Sequence, residues 1–166
     1  SESRANLLAL VENTRDSIWA VDKDYRIIFI NEQFKSDFKS VYGIELLPGM
    51  KIIDILPDGI KESWKSRYDR AFADERYEFE EHFVFGEVHI YVEVSMSPIL
   101  VDGKIIGVSV FAHDVTPSKL AEIQVINKNI EIENQNKELI DAKERLKLSE
   151  VTYKGIIDSI SEAVYI

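Results

Sequence analysis

An α+β fold, with an antiparallel sheet and helices over one of its faces, is predicted by three features of the sequence. Between Tyr77 and Phe111, apolar and polar residues alternate in runs separated by Gly86-Glu87 and Asp102-Gly103, the pattern of strands joined by tight turns. Ile60, Trp64, Tyr68 and Phe72 recur every four residues, which sets one aromatic stripe on a helix. From Ser118 to Glu150 there is no glycine or proline, so a long helix follows the sheet.

Leu7, Leu8, Leu10 and Val11 fall on one side of a short helix ending near Asn13-Thr14, an amphipathic piece that needs a surface to lie on. Two β-like runs, Ser17 to Val21 and Arg26 to Ile30, are joined by the polar Asp22-Lys23-Asp24-Tyr25 as a hairpin. Asn31 is placed to cap a helix that carries Phe34 and Phe38 at i and i+4 and ends at Gly43. Leu46-Leu47-Pro48-Gly49 is turn chemistry, and Lys51 to Leu56 is a short apolar piece closed by Pro57. On the helix from 58 to 75 the aromatic stripe faces inward as core, while Lys61, Glu62, Lys65, Arg67 and Asp69 stay solvated.

In the next strand Tyr77, Phe79, Glu81, Phe83 and Phe85 share one face, with Glu78, Glu80, His82 and Val84 on the other. Val88, Ile90, Val92, Val94 and Met96 then alternate with His89, Tyr91, Glu93, Ser95 and Ser97, and Pro98 suits a frayed strand end. The last strand, Ile105 to Phe111, leads to Asp114-Val115-Thr116. Thr116 is placed as an N-cap, and Pro117 follows where its missing N–H costs nothing.

Composition excludes several functions. The chain has 166 residues, 45% of them hydrophobic, enough for one full core and short for two complete domains. Its 30 acidic and 20 basic residues give a net charge of -10, which opposes nucleic acid and anionic lipid as partners. With no cysteine there are no disulfides, thiolate metal sites or cysteine nucleophiles. The three histidines, His82, His89 and His113, lie on predicted strands without a metal-ligand spacing, so no metal is expected. No serine elbow, phosphate-cradling loop or metalloprotease motif is present, and catalysis is not expected within these residues. No apolar run approaches the roughly 20 residues of a membrane span, and no membrane contact is expected within the chain.

Val125, Ile132, Leu139 and Leu146 recur at intervals of seven along the long helix, predicting a coiled-coil seam and a homodimer. Their neighbours at the second seam position, Lys128, Gln135, Ala142 and Ser149 in one register and Asn129, Asn136, Lys143 and Glu150 in the other, are poor partners, so the pairing is weak. Residues 156–166 replay residues 10–20 without a gap, Glu12 matching Asp158, as if a second copy of the domain began there.

Four pieces in this order resemble a PAS domain of bacterial signalling proteins: ENTRDSIWAVDKDYRIIFINEQF, YGIELLPGMKIIDILP, YVEVSMSPI, and IIGVSVFAHDVT with its closing Asp-x-Thr. The resemblance covers roughly Leu7 to Thr116. It implies a five-stranded antiparallel sheet flanked by helices, a pocket between sheet and helices, and dimers whose helix drives an output domain. It also implies that Asp114, Val115 and Thr116 form the junction that transmits a signal to that helix. Phe29, Asn31, Phe34, Phe38, Trp64, Tyr68, Phe83 and Tyr91 are the pocket residues expected from it.

The resemblance divides the chain into a sensor domain with an N-terminal cap helix at 1-116, a signalling linker helix at 117-150, and the start of a second such domain at 151-166, with the protein continuing beyond it. It does not name the ligand. Lack of cysteine excludes covalent flavin photochemistry, and histidines confined to strands argue against heme. The expected function is a cytoplasmic sensory and dimerisation module, most often of a two-component histidine kinase, in a free or membrane-anchored protein. The alternatives are a ligand-free spacer or protein-interaction module, and the sensor module of a diguanylate cyclase-type protein.

Overall fold

The structure, a computed structural model, describes residues 2–165. The elements run α1 (Glu2–Glu12), β1 (Ser17–Asp22), β2 (Ile27–Ile30), α2 (Glu32–Tyr42), α3 (Ile52–Ile55), α4 (Asp58–Phe72), β3 (Tyr77–Phe85), β4 (Val88–Val101), β5 (Lys104–Asp114) and α5 (Thr116–Val164). The chain forms two units, one ending at Pro117 and the other beginning at Ser118.

In the first unit, five strands in the order β2-β1-β5-β4-β3 form one sheet in which every neighbouring pair is antiparallel. β5 is central, and it turns back from β4 through Asp102-Gly103, both at positive φ (50° and 73°) as a two-residue hairpin requires. Alternation sends Trp19, Val21, Val94, Met96, Val108 and Val110 to one face, where they pack with Phe34, Phe38, Ile52, Trp64 and Tyr68 from α2, α3 and α4. At Gly107 a Cβ would lie 2.4 Å from the Val21 carbonyl oxygen, so β1 and β5 approach this closely only because the residue has no side chain.

Asn31 caps α2 as the sequence predicts. Its fully buried Oδ1 accepts the Phe34 N–H at 3.1 Å and the Ile18 N–H at 2.9 Å, and its Nδ2 donates to the carbonyls of Asp16 and Val11. One side chain thereby ties together the end of α1, the start of β1 and the start of α2.

Four expectations are corrected. The apolar side of α1 is largely uncovered, with Leu7 64% and Leu10 72% exposed and Val11 half-buried. Pro98 lies within β4 rather than at its end, because β3 pairs with β4 only as far as Met96; beyond that point no neighbour on that side needs a donor. Arg67 is not solvated. It is ion-paired with Glu81, and its guanidinium lies 4.0 Å from the Phe79 ring centroid. Finally, α5 continues without a break to Val164, so Ala163 and Val164, which match Ser17 and Ile18 in the replay and were expected to open a β-like run after a short helix, are helical; Ile166 lies outside the described residues. A strand needs a neighbour for its backbone groups, and in α5 those groups are satisfied within the helix.

Candidate functional site

A cavity of about 760 Å³ lies between the sheet and α2, α3 and α4. Its inner wall is apolar and buried: Trp19 and Val94 from the sheet, Phe34 and Phe38 from α2, Ile52 from α3, Trp64 and Tyr68 from α4. Trp19 stacks on Phe34 with ring centroids 3.9 Å apart, and the four-residue period of α4 aims Trp64 and Tyr68 at the same space. The outer wall, carrying exposed Phe85, Val41, Ser40, Asp37 and Arg15, opens to solvent.

Few polar groups reach the interior. The Trp19 indole N–H donates to the Tyr68 hydroxyl at 2.8 Å. Burial pushes the Tyr68 hydroxyl far above the ordinary tyrosine range, so it stays neutral and acts by hydrogen bonding. The Trp64 indole N–H is buried and has no hydrogen-bond partner among the described residues. A donor in that condition is costly unless something accepts from it. At the rim, Asp37 accepts from the Ser17 hydroxyl at 2.6 Å and from Gln33 Nε2 at 2.9 Å, binding β1 to α2.

Of the residues expected at a pocket, Phe34, Phe38, Trp64, Tyr68 and Phe83 line this cavity, and Phe29, Asn31 and Tyr91 do not. Phe29 pairs with Ala20, whose side chain alternates away from Trp19 and Val21. Asn31 spends its amide on capping. The Tyr91 ring lies flat over His82 on the other face, with centroids 4.2 Å apart. Reading the sequence missed Ile90, Val92 and Val94, although their alternation on β4 already placed them together on one face.

The junction adjoins this site through β4. The Val115 N–H donates to the Tyr91 carbonyl at 2.9 Å, and Thr116 Oγ1 accepts the Tyr91 N–H at 2.9 Å. Asp114 Oδ1 accepts the Thr116 N–H at 2.9 Å, so Asp114 supplies the capping contact expected of Thr116, whose hydroxyl turns back to the sheet. Val125, Ile132, Leu139 and Leu146 are all exposed along α5, which buries no residue of its own. Among the described residues no helix is long and apolar enough to cross a membrane.

A family model described as the PAS fold matches residues 11–120. Among solved structures, a sensory box sensor histidine kinase from Vibrio cholerae is 24% identical, with TM-score 0.50 over 69% of this chain and 91% of that one. The PAS domain of Bordetella pertussis BvgS is 16% identical, with TM-score 0.55 over 78% of this chain and 99% of that one. The phage VqmA-DPO complex is 13% identical, with TM-score 0.56 over 76% of this chain and 59% of that one. At these identities the likeness speaks for the fold. Comparison with curated proteins finds no match. Since the matched residues are the greater part of its length and carry the sheet, helices and cavity described above, the chain belongs to the PAS fold family.

Proposed function

We propose that this chain is the sensory and dimerisation module of a signalling protein, most directly a two-component histidine kinase. A small, largely apolar ligand enters the space between the sheet and α2–α4, and the Asp114-Val115-Thr116 junction relays its presence into α5. The observation that carries this reading is the cavity of about 760 Å³, within the range of small-molecule sites, with the partnerless Trp64 N–H in its wall. A ligand with an apolar body fits such a wall. The exposed apolar seam of α5 supports pairing of two copies, which would give the relay a partner to act against. The flux of information is then a shift between two packings at the junction.

Native mass spectrometry of the purified chain tests this reading. The expected spectrum is a dimer carrying a reproducible adduct of small-molecule mass that is lost on denaturation. A bare dimer that also takes up no apolar probe would favour the ligand-free spacer instead.

A further inference from the structure

His82 on β3 and His89 on β4 serve neither the cavity nor the junction, yet the hairpin brings them together. They lie on the sheet face opposite the cavity, which they share with Tyr91 and with Glu80 and Glu93, a directly opposed pair. His82 Nε2 and His89 Nδ1 are 2.9 Å apart. The His82 ring is backed by Tyr91, whose plane is within 3° of its own, and the two imidazoles are within 21° of parallel. Both histidines are exposed. Stacking on a paired strand restricts the His82 ring, so little ordering is left for a ligand to impose.

We propose that His82 and His89 form a two-imidazole site for a divalent first-row transition-metal ion, copper(II) or nickel(II) in preference to zinc, with water in the remaining positions. The separation sets the preference. Two metal–nitrogen bonds of about 2.0–2.1 Å that end on nitrogens 2.9 Å apart enclose roughly 90°. That is the cis angle of a square-planar or octahedral ion, whereas tetrahedral zinc asks for wider spacing.

In the neutral pair one imidazole donates its N–H to the other. Breaking that hydrogen bond and swinging each ring by roughly 45° turns the two nitrogens toward a common point above the sheet. The donor's proton moves to its other ring nitrogen, which leaves a lone pair on each of the two facing nitrogens. Among the described residues no group of three or more His, Asp and Glu is placed to hold an ion, so the chain supplies two ligands and solvent the rest. Glu80 and Glu93 add negative potential beside the site. Tyr91 connects it to the junction: its ring backs His82 while its N–H and C=O hold Thr116 and Val115.

Calorimetric titration of the whole chain with CuCl2, NiCl2 and ZnCl2 at neutral pH tests the site. One ion per chain is expected, with nickel bound more tightly than zinc and copper most tightly. His82→Ala and His89→Ala should each weaken binding by about tenfold or more. His113→Ala should leave it unchanged, and circular dichroism should show all three variants folded. Lack of binding up to millimolar metal, or undiminished binding in the folded double variant, would overturn the site; tighter zinc than nickel would overturn the geometric assignment.

Discussion

Thr116 reaches back from the first turn of α5 to Tyr91 in β4, its Oγ1 accepting the Tyr91 N–H at 2.9 Å. On either side of Tyr91, Ile90 and Val92 face the cavity, so the residue that holds the junction sits between two residues that line the proposed site. In the proposed relay, a change in what fills the cavity would move the strand on which α5 is anchored. Cavity wall and helix anchor are thus adjacent residues of one strand.

Thr116→Val keeps the shape and removes the acceptor, leaving the half-buried Tyr91 N–H without it. A loss of about 1 kcal/mol is expected, seen as a lower urea midpoint at unchanged slope. Asp114→Ala removes the contact to the Thr116 N–H and should cost about 0.5–2 kcal/mol. Both variants should keep the cavity and its ligand binding. In a protein with an output domain both should uncouple output from ligand, and normal signalling by both would exclude the junction as the relay.

Gly107→Ala places a methyl group 2.4 Å from the Val21 carbonyl oxygen, which only separation of β1 from β5 can relieve. Because β5 is the central strand, the expected loss is about 2–4 kcal/mol, read as a lower melting temperature. Gly59→Ala, at the start of α4 with open space around it, is the matched control and should be neutral or stabilising.

His113 donates to Asp16 across a 2.5 Å contact, and this hydrogen bond raises the imidazole's pKa above 6.5. The charged form is therefore favoured by folding. Its contribution is fully present below pH 6.5 and is lost as the pH rises through the higher folded value. Since the side chain is 63% exposed, the effect is small. The melting temperature of the native chain should exceed that of His113→Ala most at low pH, and the gap should close as the solution is made alkaline.

The strands, the Asn31 cap and the Asp102-Gly103 turn were legible because each rests on local chemistry: alternation, an amide at a helix start, a glycine at positive φ. Arg67 was not, since a charge on a polar helix face is solvated unless an inward carboxylate meets it. The signal was Glu81, the one charge within an otherwise aromatic strand face. Phe29 and Tyr91 were misplaced because aromatic character does not say which face of a sheet a ring takes, whereas the parity of Ile90, Val92 and Val94 does. The His82–His89 contact joins residues seven apart through strand register, which spacing along the chain does not display.

Amide hydrogen exchange of the whole chain, with and without the apolar probe 1-anilinonaphthalene-8-sulfonate, tests the link between cavity and junction most directly. The chain's two tryptophans, Trp19 and Trp64, both line the cavity, so energy transfer from them reports when the probe is inside. With the cavity so occupied, the Tyr91 and Val115 amides should change their exchange rates together. An occupied cavity with both amides unchanged would contradict the account.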